Sequence, residues 1–285
     1  ERQRVVVSCG AAEGLAFIFN APIAGVLFAL EVVLGEFDVH SFSPIVISSV
    51  VATAFARAFL PHGAMLHVPP YELFSPVEIV LYAILGILAG LTAVAFTRFM
   101  HLSEGVFHRH IRLPGALKPA VGGLFVGLIG FYLPEVFGYS YAPITQAIKG
   151  NFLPGFLFLL VAAKIVATGF TLGSGGSGGI LCPSLFLGAM LGSACGSMFH
   201  LWLPQIVPAT GGYAIVGMGA MLGAVVQAPM TAIIMVFELT NAYTVILPMM
   251  TACILATLVQ KSILHGSLYT LSLARRGIDI QAGRE

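Results

Sequence analysis

Long apolar runs alternate with short polar connections along almost the whole chain. The runs cover 15–34, 43–60, 77–100, 120–138, 152–172, 180–203, 213–239 and 244–264. Each run is close to, or longer than, the roughly 20 residues that a helix needs to cross the hydrocarbon core of a bilayer. The pattern therefore predicts an all-α polytopic membrane protein with eight or more membrane helices, several of them broken.

Composition supports this class of protein and argues against others. Hydrophobic residues make up 58% of the 285 residues and charged residues 9%, whereas a soluble domain carries about 25% charged residues. The net charge of +1 gives no sign of a nucleic-acid partner. The four cysteines and eight histidines lack metal-ligand spacing, and no nucleophile or cofactor motif accompanies them. We therefore predict that the chain is not an enzyme and has no catalytic residue, metal or cofactor.

Two segments of the chain repeat one pattern of residues. They are NAPIAGVLFALE at 20–31 and QAPMTAIIMVFE at 227–238, which align at an offset of 207. Pro22 and Pro229 fit the first position of a helix, where no amide hydrogen is needed. Glu31 and Glu238 end the segments, and two interpretations remain open: hydrogen-bonded glutamates that fix helix ends, which we favour, or a direct proton role. Repeated halves are a common way to build transporters.

The segment GSGGSGGILCPSLFLGAMLG at 173–192 begins like a flexible linker but lies within apolar sequence. Irregular backbone at membrane depth is tolerated only where protein encloses it or where it lines a watery cavity. A helix that begins there presents unpaired amides and the positive end of its dipole, which together favour an anion. The alternative is an extramembrane loop of small residues.

The residues of this segment have distinct predicted roles. Gly178 and Gly179 allow close approach to the backbone, and Pro183 fits the first turn of the new helix. Ile180 and Leu181 supply its first amides. Such a site is electropositive without a full charge, so it can hold an anion weakly enough to release it.

Two further features of the apolar runs carry predictions. Glycines at four-residue spacing predict smooth faces for close helix packing. They are Gly188, Gly192 and Gly196, with the pairs Gly86/Gly90, Gly123/Gly127 and Gly219/Gly223. Lys164 lies in an otherwise apolar run, and two interpretations remain: its charge raises anion occupancy along a pathway, or it extends to a nearby membrane interface.

Several of these segments resemble the CLC family of chloride channels and proton-coupled chloride exchangers. The segment at 173–192 resembles the family signature G-G-[IV]-F-x-P and its following helix, with Leu181 in the usual phenylalanine position. GAAEGLAFIFNAPIAGVLFALE, GMGAMLGAVVQAPMTAIIMVFELTNAY and SLYTLSLARRG are similar to further family segments. The resemblance covers nearly the whole chain, with its motifs in the family order.

The resemblance implies both a substrate and an assembly. It implies CLC-type inverted repeats with broken helices, a homodimer with one pore per subunit, and chloride or similar anions as substrate. The amides of Ile180 and Leu181 and the Tyr269 hydroxyl would bind chloride. The helices carrying Pro22, Pro229, Glu31 and Glu238 resemble the family's dimer interface, which favours a structural role for these residues.

Two departures from the family pattern limit what carries over. The family's G-S-G-I-P and G-[KR]-E-G-P motifs, with the inner serine and the gating glutamate, have no counterpart and would precede residue 1. Exchangers commonly carry a second glutamate after Glu31, but Val32 stands there and cannot carry a proton. We therefore expect passive, channel-like chloride conduction. The alternatives are a proton-coupled exchanger and a non-transporting membrane scaffold or sensor.

The expected organisation is a CLC-type transmembrane domain over 1–270 that lacks its N-terminal part. The remainder of the first repeat spans about 1–138 and the second repeat about 139–270. The polar connection 101–118 and the tail 271–285 are expected on the cytoplasmic side because of their basic residues. The family often appends cytoplasmic CBS domains after such a tail. We expect a multi-pass protein of the cell, or inner, membrane.

Overall fold

Helices form all of the regular structure in the part of the chain that the computed structural model describes. That part comprises residues 2–59, 66, 77–109, 114–115, 117–138, 141–207, 210–264, 266 and 268–269. The helices are α1 (Arg2–Phe19), α2 (Pro22–Phe28), α3 (Val39–Phe59), α4 (Glu78–Arg109), α5 (Lys118–Tyr132), α6 (Tyr141–Ile148), α7 (Pro154–Gly173), α8 (Leu181–Trp202), α9 (Gly211–Val226), α10 (Pro229–Thr240) and α11 (Ile246–Leu264). A π-helical segment, Ala29–Leu34, extends α2 directly.

Five of the described helices are long and apolar enough to cross a membrane. They are Val39–Phe59, Glu78–Arg109, Pro154–Gly173, Leu181–Trp202 and the last helix together with its preceding turn, Tyr243–Leu264. Shorter apolar helices, including α5, α9 and α10, lie between them. This mixture of long and short helices agrees with the expectation of an all-α polytopic protein with broken helices.

The two repeated segments break their apolar runs in the same way. Asn20 and Gln227 adopt positive φ angles of 50° and 58°, so each ends the preceding helix with a left-handed residue. Ala21 and Ala228 follow with φ near −126° and −131°, respectively. A residue before proline avoids the helical region, so the chain turns at this point and begins a new helix. The apolar runs 15–34 and 213–239 therefore each contain two helices.

Closely packed glycines hold α8 and α9 together at the centre of the molecule. A Cβ at Gly188 would collide with the backbone of Gly217, and a Cβ at Gly192 would collide with the backbone of Tyr213. Nearly all of α9 is buried. The later contact residue on α8 meets the earlier one on α9, so the two helices run antiparallel.

Some of the other predicted glycine faces pack against a neighbouring helix, and one does not. A Cβ on Gly86 or Gly90 would lie 2.7 Å from the carbonyl oxygen of Ala252 or Ala256, so this pair packs α4 on α11. Gly219 likewise contacts α11 through Met249 and Cys253. The Gly123/Gly127 prediction is wrong for packing among the described residues, none of which has an atom within 4 Å of a Cβ at either position. The packed glycines of α5 are instead Gly122 and Gly130, whose face is turned towards α7 and the chain after α5.

The prediction of a polar connection over 101–118 is also partly wrong, because α4 continues to Arg109. Met100, Ser103 and Phe107 are buried on one side of this extension. Their spacing maintains the helical period beneath the polar residues that suggested a loop. The predicted tail 271–285 lies outside the described residues, and the division of the repeats near 138 stays a prediction.

Candidate functional site

The glycine-rich turn links the end of α7 to the start of α8. Ser174 closes α7 by donating its hydroxyl to the carbonyl oxygen of Thr171 at 3.0 Å, and Gly175 follows with a φ of +87°. Ile180 occupies the N-cap position of α8, and its carbonyl oxygen accepts the Ser184 amide at 3.0 Å. Among the described residues, no side chain caps this terminus. The first amides of α8 are therefore not shielded by an acceptor side chain.

A cavity of about 560 Å³ opens at this terminus. Six residues that the sequence predicted for an anion site line it: Gly178, Gly179, Ile180, Leu181, Pro183 and Tyr269. Ile180 is 6% exposed, and Leu181 is half-buried and packs against the core. The structure thus brings the amide-bearing turn and the tyrosine together, although 88 residues separate Leu181 from Tyr269 in sequence.

Lys164 contributes a buried cation to the same cavity. Its side chain is 5% exposed and lies among the cavity-lining residues of α7. The Nζ group donates to the carbonyl oxygen of Val136 at 2.7 Å and to that of Gly138 at 3.4 Å. It also lies 4.8 Å from the ring centroid of Phe186 on α8, within cation–π range. This placement favours the pathway interpretation of Lys164 over extension to a membrane interface.

Further polar residues that the motifs do not indicate lie on this face of α7 and around the cavity. Thr168 and Thr171 line the cavity beside Lys164, as do Ser177 and Cys182 from the turn and the start of α8. A spacing of four and then three residues separates Lys164, Thr168 and Thr171. That spacing places all three on one side of a helix. The polar stripe along an apolar run was therefore visible in the sequence.

The two repeat glutamates cap each other's helices. Glu31 accepts the backbone amides of Met230 at 3.3 Å and Thr231 at 2.8 Å, and also the Thr231 hydroxyl at 2.7 Å. Glu238 accepts the amides of Ile23 at 3.1 Å and Ala24 at 2.8 Å. Each carboxylate therefore occupies the N-terminus of the helix that begins with the other repeat's proline, Pro229 or Pro22. This exchange accounts for the spacing between proline and glutamate in both segments.

Comparison with known proteins shows which family the chain belongs to. The family model described as voltage gated chloride channel matches residues 1–261. The chain belongs to this family. The match agrees with the CLC resemblance of the sequence motifs and ends before Tyr269. Together with the membrane-length helices, it identifies the chain as an integral, multi-pass membrane protein.

Some relatives of this CLC chain are named as channels and others as exchangers. The putative chloride channel protein ClcB-like of Ralstonia nicotianae is 38% identical, covering 98% of this chain and 65% of the relative. The H(+)/Cl(-) exchange transporter ClcA of Cronobacter sakazakii is 35% identical, covering 100% of this chain and 62% of the relative. The chain therefore spans less than two thirds of the length of these relatives.

A solved structure supports the CLC fold directly. The crystal structure of a slow cyanobacterial Cl⁻/H⁺ antiporter superposes with a TM-score of 0.84 at 30% identity. The alignment covers 96% of this chain and 65% of that chain. The fold class inferred from the apolar runs and the motifs is confirmed.

Val32 stands at the position where the CLC resemblance implies a second glutamate in exchangers. Val32 lies in the π-helical segment, half-buried, and packs against the main core. Glu36, the next acidic residue along the chain, is exposed in the connection before α3. Glu31 is engaged at the start of α10. The chain thus places no carboxylate side chain at position 32 itself.

Proposed function

We propose that this chain forms part of a chloride pathway and that the intact protein transports chloride across a membrane. The main support is the cavity at the start of α8, which is lined by Ile180, Leu181, Tyr269 and Lys164 together. Amides at a helix N-terminus and a hydroxyl are donors suited to an anion. The family membership and the names of the relatives support chloride as the substrate.

The donor set suits an ion that binds and leaves. A helix N-terminus supplies roughly half an elementary charge, and the hydroxyl adds a dipole. Lys164 adds a full charge, but its Nζ is engaged by carbonyl oxygens and faces the Phe186 ring. In this proposal the amides and hydroxyl bind chloride directly, while the cation raises anion occupancy from a distance.

For the coupling of transport, we propose proton–chloride exchange. The Cronobacter sakazakii relative and the cyanobacterial structure carry exchanger or antiporter names, whereas the Ralstonia nicotianae relative is named a putative channel. These names favour exchange over the channel-like conduction that the sequence suggested. Channel-like conduction stays the second candidate because of Val32, which has no group to hold a proton.

Proteoliposomes containing the full-length protein distinguish the two candidates. A chloride gradient is imposed, and chloride and proton movements are recorded together. Exchange predicts proton movement in a fixed ratio to chloride, and conduction predicts chloride flux without coupled protons. Absence of any chloride flux would support a non-transporting scaffold or sensor and would contradict both candidates.

The site itself is tested by Tyr269→Ala in the same protein. We expect weaker chloride affinity and altered selectivity among anions, since the hydroxyl donor is lost. Ser262→Ala is the matched control, because the Ser262 hydroxyl is exposed on α11 and donates only within its own helix, to the carbonyl oxygen of Val259. Unchanged affinity and selectivity in Tyr269→Ala would count against this residue as a chloride ligand.

For assembly and location, we propose a homodimer in the cell, or inner, membrane. The CLC resemblance supports α2 and α10 as the dimer interface of this proposal, and Ile23 and Met230 are exposed apolar residues on these helices. Ile254 and Leu258 extend an exposed apolar surface along α11. Native mass spectrometry of the full-length protein in detergent tests the proposal. A mass corresponding to one subunit at all concentrations would contradict it.

A further inference from the structure

Two glutamines form a hydrogen-bonded relay outside the proposed chloride site. The Gln227 Nε2 group donates to Oε1 of Gln260 at 2.6 Å. The Gln260 Nε2 group donates in turn to the carbonyl oxygen of Gly266 at 3.1 Å. Gln260 is fully buried, at 0% exposure. A buried amide is costly unless its polar atoms are paired, and this relay uses both ends of the Gln260 amide.

The direction of the relay is determined by its last acceptor. A backbone carbonyl oxygen only accepts hydrogen bonds, so the group of Gln260 beside Gly266 must be its NH₂. The Gln260 oxygen then faces Gln227, which must donate. A shorter side chain at position 260 reaches neither partner fully, and an apolar side chain of equal length makes neither bond.

The relay joins two elements that lead to the cavity. Gln227 ends α9 with a left-handed φ of 58°. Gly217 packs against Gly188 and Tyr213 against Gly192, so α9 runs antiparallel to α8 and leads from these contacts towards the first turn of α8. That first turn carries the proposed amide donor of Leu181.

The other end of the relay lies close in sequence to the proposed hydroxyl donor. Gly266 follows the last residue of α11, Leu264, and precedes Tyr269 by three residues. Leu268 is 6% exposed and belongs to the core. The packing of Leu268 and the bond from Gln260 to Gly266 thus both hold the short segment that leads into Tyr269.

We propose that Gln260 is a positioning residue that sets the distance between the Tyr269 hydroxyl and the amides at the start of α8. This inference rests on the proposed chloride function. Without the relay, the chain after α11 is no longer tied to the end of α9, and the hydroxyl samples a wider range of positions. Chloride then loses a fixed donor, although every ligand residue is still present.

The test is a double-mutant comparison of chloride affinity by isothermal titration on the full-length protein. Gln260→Met keeps the side-chain length and removes both bonds. We expect about fivefold weaker chloride binding, comparable to the loss of one neutral hydrogen bond. In a Tyr269→Phe background, Gln260→Met should cause no further loss, because the hydroxyl that it positions is already absent. Gln227→Met, which removes only the first bond, should weaken binding about twofold.

A structural effect is separated by a matched control on the same helix. Thr257→Val removes the hydroxyl bond to the Cys253 carbonyl oxygen one turn before Gln260 and leaves the relay intact. It should lower the thermal unfolding midpoint without changing chloride affinity. If Gln260→Met does not fold, Gln227→Met tests the relay in its place: unchanged chloride affinity in that variant would overturn the positioning role.

Two outcomes would overturn the positioning role of Gln260, and a third would overturn the proposed chloride function. Unchanged affinity in Gln260→Met, with chloride binding intact in the parent protein, overturns the positioning role alone. An equal loss in the Tyr269→Phe background also overturns it, since the effect then does not pass through the hydroxyl. No chloride binding by the parent protein overturns the proposed function itself, and the relay inference with it.

Discussion

The N-termini of α2 and α10 differ from that of α8 in what occupies them. The first two belong to the repeated segments and are closed by carboxylates, Glu238 on α2 and Glu31 on α10. The start of α8 has no side-chain cap among the described residues and opens onto a 560 Å³ cavity. All three termini present backbone amides that attract negative charge. The protein's own carboxylates occupy two of them, and the third is the terminus at which we propose that chloride binds.

The largest effect is expected when a carboxylate cap is removed. Glu31→Ala should lower the free energy of unfolding by about 2 kcal/mol, because two amides and a hydroxyl lose their acceptor in a half-buried site. Glu238→Ala, with two amide donors, should cost about 1.5 kcal/mol. Thermal unfolding in detergent measures both. Glu36→Ala is the control, since Glu36 is exposed, and stability equal to the parent in Glu31→Ala would contradict the cap.

The second prediction converts the open terminus into a closed one. Gly179→Asp places a carboxylate in the cavity, where none of the described residues apart from its chain neighbours has an atom within 4 Å of a Cβ at this position. We expect chloride binding to weaken about tenfold, or about 1.4 kcal/mol, because the carboxylate competes for the same amides. Gly179→Asn, of equal size without the charge, should have a much smaller effect in the same titration. A similar loss of chloride affinity in both variants would mean that the volume of the new side chain, and not its charge, weakens binding.

A third prediction separates two glycines of the same turn. Gly175 has a φ of +87°, so Gly175→Ala should cost about 1 kcal/mol of stability without changing chloride affinity. Gly179 has no such backbone constraint, so Gly179→Ala should leave stability unchanged. Paired unfolding and titration measurements check this contrast. A loss of affinity in Gly175→Ala would mean that the turn also shapes the site.

The smallest expected effect concerns the charge beside the open terminus. Lys164→Met should weaken chloride binding about threefold, as expected for a long-range interaction worth below about 1 kcal/mol. Lys164→Arg keeps the charge and should recover most of the affinity. Titration at low ionic strength gives the clearest difference, because salt screens such interactions. Equal affinities for the methionine and arginine variants would remove Lys164 from the electrostatics of the site.

The start of α8 was predictable because its signal is local. Gly178, Gly179 and Pro183 mark the end of irregular backbone and the start of a helix within a few residues. The family motifs added Tyr269, which local sequence alone describes only as an interfacial tyrosine. The extension of α4 to Arg109 was missed because polar residues masked the spacing of Met100, Ser103 and Phe107.

The exchange of carboxylates between the repeats is a different kind of feature. Glu31 and Glu238 each end a segment, so sequence spacing alone suggests that each fixes its own helix end. Their acceptor roles become visible only when α2 and α10 are packed side by side. The same holds for Gln227 and Gln260, whose contact depends on the packing of α9 against α11.

The class of the protein, the repeated segments, the family and the glycine-rich helix start can be inferred from the sequence alone. These properties depend on hydrophobicity, backbone freedom and short motifs, which act over a few residues or over the whole composition. In contrast, the packing of the helices determines which helix termini are closed by a carboxylate and which one opens onto a cavity. That outcome depends on side chains up to about 200 residues away in sequence, such as Glu31 at Thr231, and a linear pattern does not specify which of them meet.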